Sequence, residues 1–314
     1  MNLANFNHPY LKKGLKAVLS IGLIIYLIYS IGITELISHI QTTNPVLFAG
    51  GVIAGIIAIG ISAWKWHYLL LSNNHKISFW IVLECYYIGA FSNLFLPSIA
   101  GGDVIKGKAL ATKTGITTES YSSIFIERFT GLFSLLFLSL LGFVFEITAR
   151  GSLDLAVGTA SLFLVGMLFI FFTTPGYQLS TGILRIFPNF IRLKSKPVLN
   201  SILKYRTQPR VLLGAFTVSF MFQSLNILQH YLIANAIGID IQLAFLLVFV
   251  PVYQMILLIP ISINGHGLRE GIFVVLLTPV GVLESEALIF GVLAGAASLL
   301  SAAVGAIYFI KPDS

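Results

Sequence analysis

The chain has 314 residues, of which 57% are hydrophobic and only 10% are charged. Soluble domains carry roughly 25% charged residues, so this composition excludes a soluble globular protein and indicates one embedded in a membrane. Because each span needs about 20 residues, the length leaves no room for a sizeable extramembrane domain. The excess of 19 Lys and Arg over 12 Asp and Glu is therefore interpreted as a topology signal, and no nucleic-acid partner is expected.

Apolar segments recur along the whole chain. The first follows several lysines and is too long for a cleaved signal segment, so we expect it to be a retained span. In chain order the predicted membrane segments are residues 15–33, 45–63, 79–97, 121–147, 155–173, 211–236, 241–260, 272–277 and 287–310.

Two of these segments end in the same way, at a proline followed by glycines. Residues 96–102 read LPSIAGG and residues 259–267 read IPISINGHG, which match as a short internal repeat after a slip of one residue. Paired Gly/Pro interruptions in the two halves of a transporter indicate discontinuous helices that meet near the bilayer midplane. The alternative is a pair of glycine turns at ordinary loop ends.

The glycines at these interruptions are expected to be required by the backbone. Gly101, Gly102, Gly265 and Gly267 either take positive φ or allow a closer approach than a side chain permits. Helices that begin after Gly102 and after Gly267 would direct unsatisfied N–H groups and positive dipole ends inward. A phosphate-bearing headgroup suits such a field.

The distribution of cations decides between two topologies. If every segment spanned the membrane and the N-terminus were cytoplasmic, the loop 177–210, with seven cations, would lie outside, against the positive-inside rule. If residues 78–119 and 241–283 instead form re-entrant hairpins, that loop and both termini are cytoplasmic. Lys65 then counts among the cytoplasmic cations.

The predicted fold is therefore an all-α polytopic integral membrane protein that forms a single transmembrane domain over residues 1–314. It has about six full spans plus two oppositely oriented re-entrant helical hairpins, which form an inverted repeat. We expect it in the plasma membrane (the inner membrane). The loop 177–210 mixes its cations with apolar residues and is predicted to lie as a basic amphipathic segment on the inner leaflet.

Ionisable residues at membrane depth are the candidate functional residues, because each costs at least about 2.5 to 3.5 kcal/mol to insert. Adjacent helical residues point in different directions, so each of these charges needs a partner on another element. We expect Arg128 to pair with Asp103 and Glu127 to pair with Arg269. Either these pairs only fix the hairpins in place, or one or more cations also binds an anionic ligand.

Other polar features indicate structure more than chemistry. Ser219, Gln223, Asn226 and His230 share one helix face, which interhelical hydrogen bonding explains. His266 is expected to be a hydrogen-bonded turn residue. The sequence contains one cysteine and none of the common hydrolase, nucleotide-binding or zinc-protease motifs, so no metal, cofactor or enzymatic activity is expected.

Three blocks of the sequence resemble a known family. Residues 93–106 (NLFLPSIAGGDVIK), 127–131 (ERFTG) and 260–271 (PISINGHGLREG) are similar, in order and spacing, to the signature blocks of the lysylphosphatidylglycerol synthase transmembrane-region family, also called the flippase-like domain family. The family usually has Gly-Gly where this chain has Asn264-Gly265, and often has Arg in place of Lys106. The soluble aminoacyl-transferase domain of the bifunctional synthases is absent from this sequence.

The resemblance implies translocation of a lipid between leaflets rather than lipid aminoacylation. A membrane-embedded transferase acting on a polyprenyl or glycerophospholipid, and an accessory subunit of an envelope lipid pathway, are the alternatives. The expected partners are membrane lipids with anionic headgroups, and a homo-oligomer is left open. The predicted substrate-binding residues are Asn93, Gly101, Gly102, Asp103, Lys106, Glu127, Arg128, Asn264, Gly265, Gly267, Arg269 and Glu270.

Overall fold

The protein is helical throughout the residues that the computed structural model describes, which are 41–96, 99–145, 200–258 and 265–310 together with positions 166, 182, 198 and 262. The helices there are α1 Pro45–Ser72, α2 Phe79–Asn93, α3 Ile99–Thr114, α4 Thr117–Phe145, α5 Pro209–Ala236, α6 Leu243–Leu257, α7 Leu268–Leu277, α8 Glu284–Ala303 and α9 Ala306–Ile310, with a 3-10 turn at Thr278–Val280.

Four helical stretches in this part of the chain are long and apolar enough to cross a membrane. They are Pro45–Ser72, Thr117–Gly142, Pro209–Ala236 and Glu284–Tyr308. These coincide with four of the six full spans expected from the sequence. The other two expected spans, 15–33 and 155–173, lie outside the described residues, as does almost all of the basic loop before residue 200.

The remaining helices come in two pairs of short ones. α2 and α3 have 15 and 16 residues, and α6 and α7 have 15 and 10. At 1.5 Å per residue, none is long enough alone to cross a hydrocarbon core about 30 Å thick. Short helices in these positions are what the hairpin hypothesis requires, but the re-entrant paths themselves stay a prediction.

The chain divides into two compact units. Within the described residues, unit 1 comprises 41–57, 87–105 and 225–310, and unit 2 comprises 58–86 and 106–224. Helices α1, α2, α3 and α5 contribute residues to both units.

Aromatic rings form the centre of unit 1. Phe273 of α7 lies with its ring centroid 4.8 Å from that of Phe249 in α6 and 4.9 Å from that of Phe290 in α8, both edge to face. Tyr253 of α6 packs on the same ring at 5.1 Å. Edge-to-face pairs contribute about 0.5 to 1.5 kcal/mol beyond their burial, so this cluster holds α6, α7 and α8 together.

Two apolar clusters form the core of unit 2. Trp66 of α1 is completely buried with residues from α2, α3 and α4, including Leu110. The second cluster joins α1, α4 and α5 with the helical segment that precedes Pro209, and Tyr205 of that segment donates its hydroxyl to the carbonyl of Leu69 at 3.0 Å. The charged residues described next lie among these helices.

Candidate functional site

A buried ion pair joins α3 and α4 in unit 2. Lys106 Nζ donates to Glu127 Oε2 at 2.7 Å, and both side chains are 3% exposed. Tyr86 of α2 donates its hydroxyl to the other carboxylate oxygen, Oε1, also at 2.7 Å. Both oxygens of Glu127 are therefore bound, and two charges that would be costly alone at membrane depth neutralise each other.

Aromatic rings enclose the ammonium group of Lys106. Its Nζ lies 4.1 Å from the centroid of the Tyr86 ring and 5.1 Å from that of Trp66. Trp66 is held in turn by a hydrogen bond from Nε1 to Ser123 Oγ at 2.9 Å. Because a desolvated cation over an aromatic face gains about 2 kcal/mol, the rings reinforce the ion pair.

Lys65 is a second buried cation, which the sequence analysis misplaced in the cytoplasm. The predicted apolar segment ends at Ala63, but α1 continues to Ser72, and Lys65 is only 3% exposed. Its Nζ donates to the backbone oxygen of Glu127 at 3.1 Å and to Ser219 Oγ at 3.0 Å. The sequence does contain a signal for this burial, because Lys65 lies between Trp64 and Trp66 and apolar residues continue on both sides of it. We call Lys65, Tyr86, Lys106 and Glu127 the lysine cluster.

The second break, residues 258–267 in unit 1, contains glycines that do require an unusual backbone. Gly265 has φ of +79° and Gly267 has φ of +77°. α7 begins at the next residue, and Glu270 turns back so that its Oε2 accepts the N–H of Gly267 at 2.6 Å. The Glu270 carboxylate therefore caps the start of α7.

Arg269 lies on a glycine surface of α8. It is 6% exposed, and its Nε is 4.0 Å from Glu270 Oε1, at the outer limit of an ion pair. A β-carbon at Gly295 would lie 2.6 Å from Arg269 Nη1, and one at Gly291 would lie 3.0 Å from the Cα of Glu270. Two glycines one turn apart thus let α7 approach α8 closely enough to enclose the guanidinium group.

The first break, residues 94–98, differs from the prediction. α3 begins at Ile99, so Gly101 and Gly102 lie in its first turns rather than at a non-helical tip. The N–H of Gly102 donates to Asn93 Oδ1 at 2.7 Å. A β-carbon on Gly102 would collide with the carbonyl oxygen of Gly89 and lie 2.5 Å from Asn93 Cγ. Close approach, and not positive φ, is the reason for glycine here.

Within unit 2, Glu127 has partners that the sequence did not reveal. Lys106 and Tyr86 occupy both of its carboxylate oxygens, and the Lys106 ammonium lies between two aromatic rings. The expected pairing of Glu127 with Arg269, which belongs to unit 1, stays a prediction.

The expected helix start after Gly102 is wrong, because α3 begins at Ile99, and the N–H groups of both named glycines have acceptors. Asn93 accepts the N–H of Gly102, and Glu270 accepts that of Gly267. Polar side chains near each break satisfy these donors within the protein, because lipid offers them no partner.

Three other predicted site residues complete the set. Asn264 lies outside the described residues. Asp103 is partly buried in α3, and Arg128 is exposed on α4, so their pairing stays a prediction. Elsewhere, Glu84 of α2 pairs with Lys113 of α3 at 2.8 Å, with both side chains partly exposed.

Two members of the polar stripe on α5 make interhelical hydrogen bonds, as expected. Ser219 accepts from Lys65 and donates to Thr130 Oγ1 at 3.3 Å. His230 contacts the backbone oxygen of Asn226 through Nδ1 at 2.7 Å and the hydroxyl of Tyr253 through Nε2 at 2.8 Å. Within the described ranges there is no group of three His, Cys, Asp or Glu side chains that could hold a metal ion.

Comparison with known proteins identifies the family. The family model described as "Lysylphosphatidylglycerol synthase TM region" matches residues 15–305. UPF0104 membrane protein PH1989 of Pyrococcus horikoshii is 22% identical over 298 residues, which cover 87% of this chain and 88% of that protein. No solved structure matches the chain. The apolar helices and the match over nearly the whole chain together show that this multi-pass membrane protein belongs to the lysylphosphatidylglycerol synthase transmembrane-region family.

Proposed function

We propose that the protein moves a phosphate-bearing lipid between the two leaflets of the plasma membrane. One observation carries the proposal: ionisable side chains are buried among the apolar helices of each unit. Lys65, Lys106, Glu127, Arg269 and Glu270 are all 6% exposed or less. Charges at this depth cost at least about 2.5 to 3.5 kcal/mol each, so proteins keep them where a polar substrate must pass.

Each unit supplies the parts that a lipid phosphate needs. In unit 2, Lys106 is neutralised by Glu127. In unit 1, Arg269 has the Glu270 carboxylate beside it at 4.0 Å. A phosphate forms the same charge-assisted hydrogen bonds with Lys and Arg as a carboxylate does, so we infer that it replaces the carboxylates as the lipid headgroup passes. The predicted polar path along the two breaks, including Asn93, is part of this proposal.

The topology belongs to the same proposal. Short helices around each break support two re-entrant hairpins of opposite orientation, with both termini in the cytoplasm. In a Cys85→Ser background, Thr112→Cys at the end of the first pair and Thr207→Cys before α5 should react with an impermeant thiol reagent from the cytoplasmic side only. Leu283→Cys should react from the outside only. Labelling of position 112 from outside would restore a conventional span in place of the first hairpin.

Transport is tested with full-length protein in vesicles that contain lipids whose phosphate-bearing headgroup carries a fluorophore. A membrane-impermeant quencher should destroy the signal of both leaflets when the protein is present and of the outer leaflet alone when it is not. Lys106→Gln and Arg269→Gln should abolish this exchange, whereas Lys108→Gln, exposed on α3, should not. A folded Arg269→Gln variant with the wild-type rate would show that the headgroup role of Arg269 is wrong.

The transferase alternative predicts a different result in the same preparation. A transferase makes a new lipid in detergent, where no leaflets exist, while a translocator makes none. Mass spectrometry of lipids incubated with the detergent-solubilised protein distinguishes them. A new lipid species that depends on Glu127 would overturn the translocation proposal.

A further inference from the structure

A cavity of about 310 Å³ lies between α4 and α5 in unit 2. It is lined by Phe129, Thr130, Phe133, Pro209, Leu212, Leu213 and Phe216. The two helices that form its walls are both long and apolar enough to span the membrane. The volume is at the lower end of the range, about 300 to 1,000 Å³, that is typical of ligand pockets.

The wall of the cavity offers nothing to a polar ligand. Thr130 carries the polar side chain among its lining residues, and that hydroxyl already donates to the backbone oxygen of Ile126 at 3.0 Å. The same hydroxyl accepts a hydrogen bond from Ser219. A headgroup that entered the cavity would lose its hydrogen bonds to water without replacement, whereas a hydrocarbon chain would not.

The floor is well packed and the mouth is open. Leu212 and Phe129 belong to the apolar cluster that includes the fully buried Tyr205, so the floor is fixed. Leu213, by contrast, is 66% exposed at the edge of the cavity. Phe133 and Phe216 pack edge to face with centroids 5.1 Å apart on one wall. A rigid apolar slot with an open side suits a flexible chain that enters laterally from the membrane.

Cations mark one end of the slot. Pro209 is both a lining residue and the first residue of α5, and Arg210 follows it directly with an exposed side chain. Lys204, also exposed, precedes it in the same connection. The positive end of the 28-residue α5 dipole lies here too, so this end attracts an anionic group.

We propose that the slot binds one acyl chain of an anionic phospholipid, whose phosphate lies at the Arg210 end. The apolar walls of the slot, formed by two membrane helices, indicate an acyl chain. The cations at its rim indicate a negatively charged headgroup. The slot borders the lysine cluster through Thr130, which accepts a hydrogen bond from Ser219, the acceptor of Lys65. Among the described residues, no charged side chain lines the slot, and its occupancy is measured by binding, which does not depend on whether the protein transports lipid.

The test uses full-length protein in vesicles with a phosphatidylglycerol that carries a photoreactive diazirine in one acyl chain. Peptide mass spectrometry should locate adducts in residues 129–133 and 212–216. Leu213→Trp should block the mouth and lower this labelling, while Leu228→Trp, at an exposed position of the same helix, should leave it at the wild-type level. Equal labelling of the two variants would overturn the proposal, because the labelled lipid would then not enter through the mouth at Leu213. The slot would instead be filled by another segment or a second copy of the chain.

The headgroup part is tested separately. In the double variant Lys204→Glu and Arg210→Glu, labelling by the photoreactive phosphatidylglycerol should fall about tenfold or more, since each cation near an anionic lipid contributes about a fivefold preference. Labelling by the matching phosphatidylcholine should stay unchanged. If both lipids lose labelling equally, the cations shape the slot and do not select the headgroup.

Discussion

At the first break, Gly102 lies inside α3 against the carbonyl of Gly89, and the neutral amide of Asn93 accepts its N–H. At the second break, Gly265 and Gly267 take positive φ, and the carboxylate of Glu270 accepts the N–H of Gly267. The two stretches match in sequence, yet one needs glycine for space and the other needs it for backbone conformation. A repeated glycine motif therefore does not imply a repeated mechanism, and each copy has to be tested by different substitutions.

The charges behind the breaks differ in the same way. Lys106 reaches across to another helix and binds Glu127 at 2.7 Å, while Arg269 and Glu270 are neighbours in sequence, with 4.0 Å between Nε and Oε1. Replacing one member of the first pair should therefore cost far more than neutralising the second. The predictions below follow that order, from the largest effect to the smallest.

Lys106→Met should lower the free energy of unfolding by about 3 to 5 kcal/mol, because it leaves the buried Glu127 carboxylate with only the Tyr86 hydroxyl. Thermal unfolding in detergent measures the change. Lys108→Met, exposed on the same helix, is the control and should stay within about 0.5 kcal/mol of wild type. Adding Glu127→Leu to Lys106→Met should recover part of the loss, and no recovery would show that the pair is not what stabilises this site.

Gly102→Ala should lower stability by about 1 to 3 kcal/mol, since its β-carbon meets a backbone carbonyl that cannot move aside. Gly101→Ala meets only the side chain of Leu96 and should cost less. Gly60→Ala, which has open space around it, should be neutral or stabilising in the same melting experiment. Equal losses at Gly101 and Gly102 would contradict the close-approach explanation.

Gly267→Ala should cost about 1 to 2 kcal/mol through the positive φ of this position. Because backbone strain is the expected cause, trimming neighbouring side chains should not restore the loss. Gly271→Ala, four residues later in α7 with open space around it, should be tolerated. If both substitutions unfold the protein at the same temperature, strain at the second break is not the reason for its glycine.

Glu270→Gln should have the smallest effect, about 1 kcal/mol or less, because the amide oxygen can still accept the Gly267 N–H and only the charge is lost. Glu270→Ala removes the cap itself and should cost more. Comparing the two in unfolding measurements separates the hydrogen bond from the charge. A Gln variant as unstable as the Ala variant would mean that the charge beside Arg269 matters more than the cap.

The sequence alone determined that the chain is a helical membrane protein, where four of its spans lie, and where its helices are interrupted. Composition and proline–glycine patterns are local properties, and the hydrocarbon thickness converts apolar length directly into spans. The three signature blocks also identified the family, because their order and spacing are properties of the sequence. The sequence also singled out Asn93, Lys106, Glu127, Arg269 and Glu270, and the structure shows each of them in a hydrogen bond or an ion pair. Their role as a binding site stays a prediction.

Which of these residues meet was decided by tertiary structure. Lys65 looked like a loop cation because a lysine ordinarily ends a span, and only the packing of α1, α4 and α5 shows it buried against Ser219 and the backbone of Glu127. Likewise the pairing of Lys106 with Glu127 depends on the distance between α3 and α4, which a linear pattern does not contain. A desolvated charge binds the nearest partner with suitable geometry, and that neighbour is set by how the helices pack.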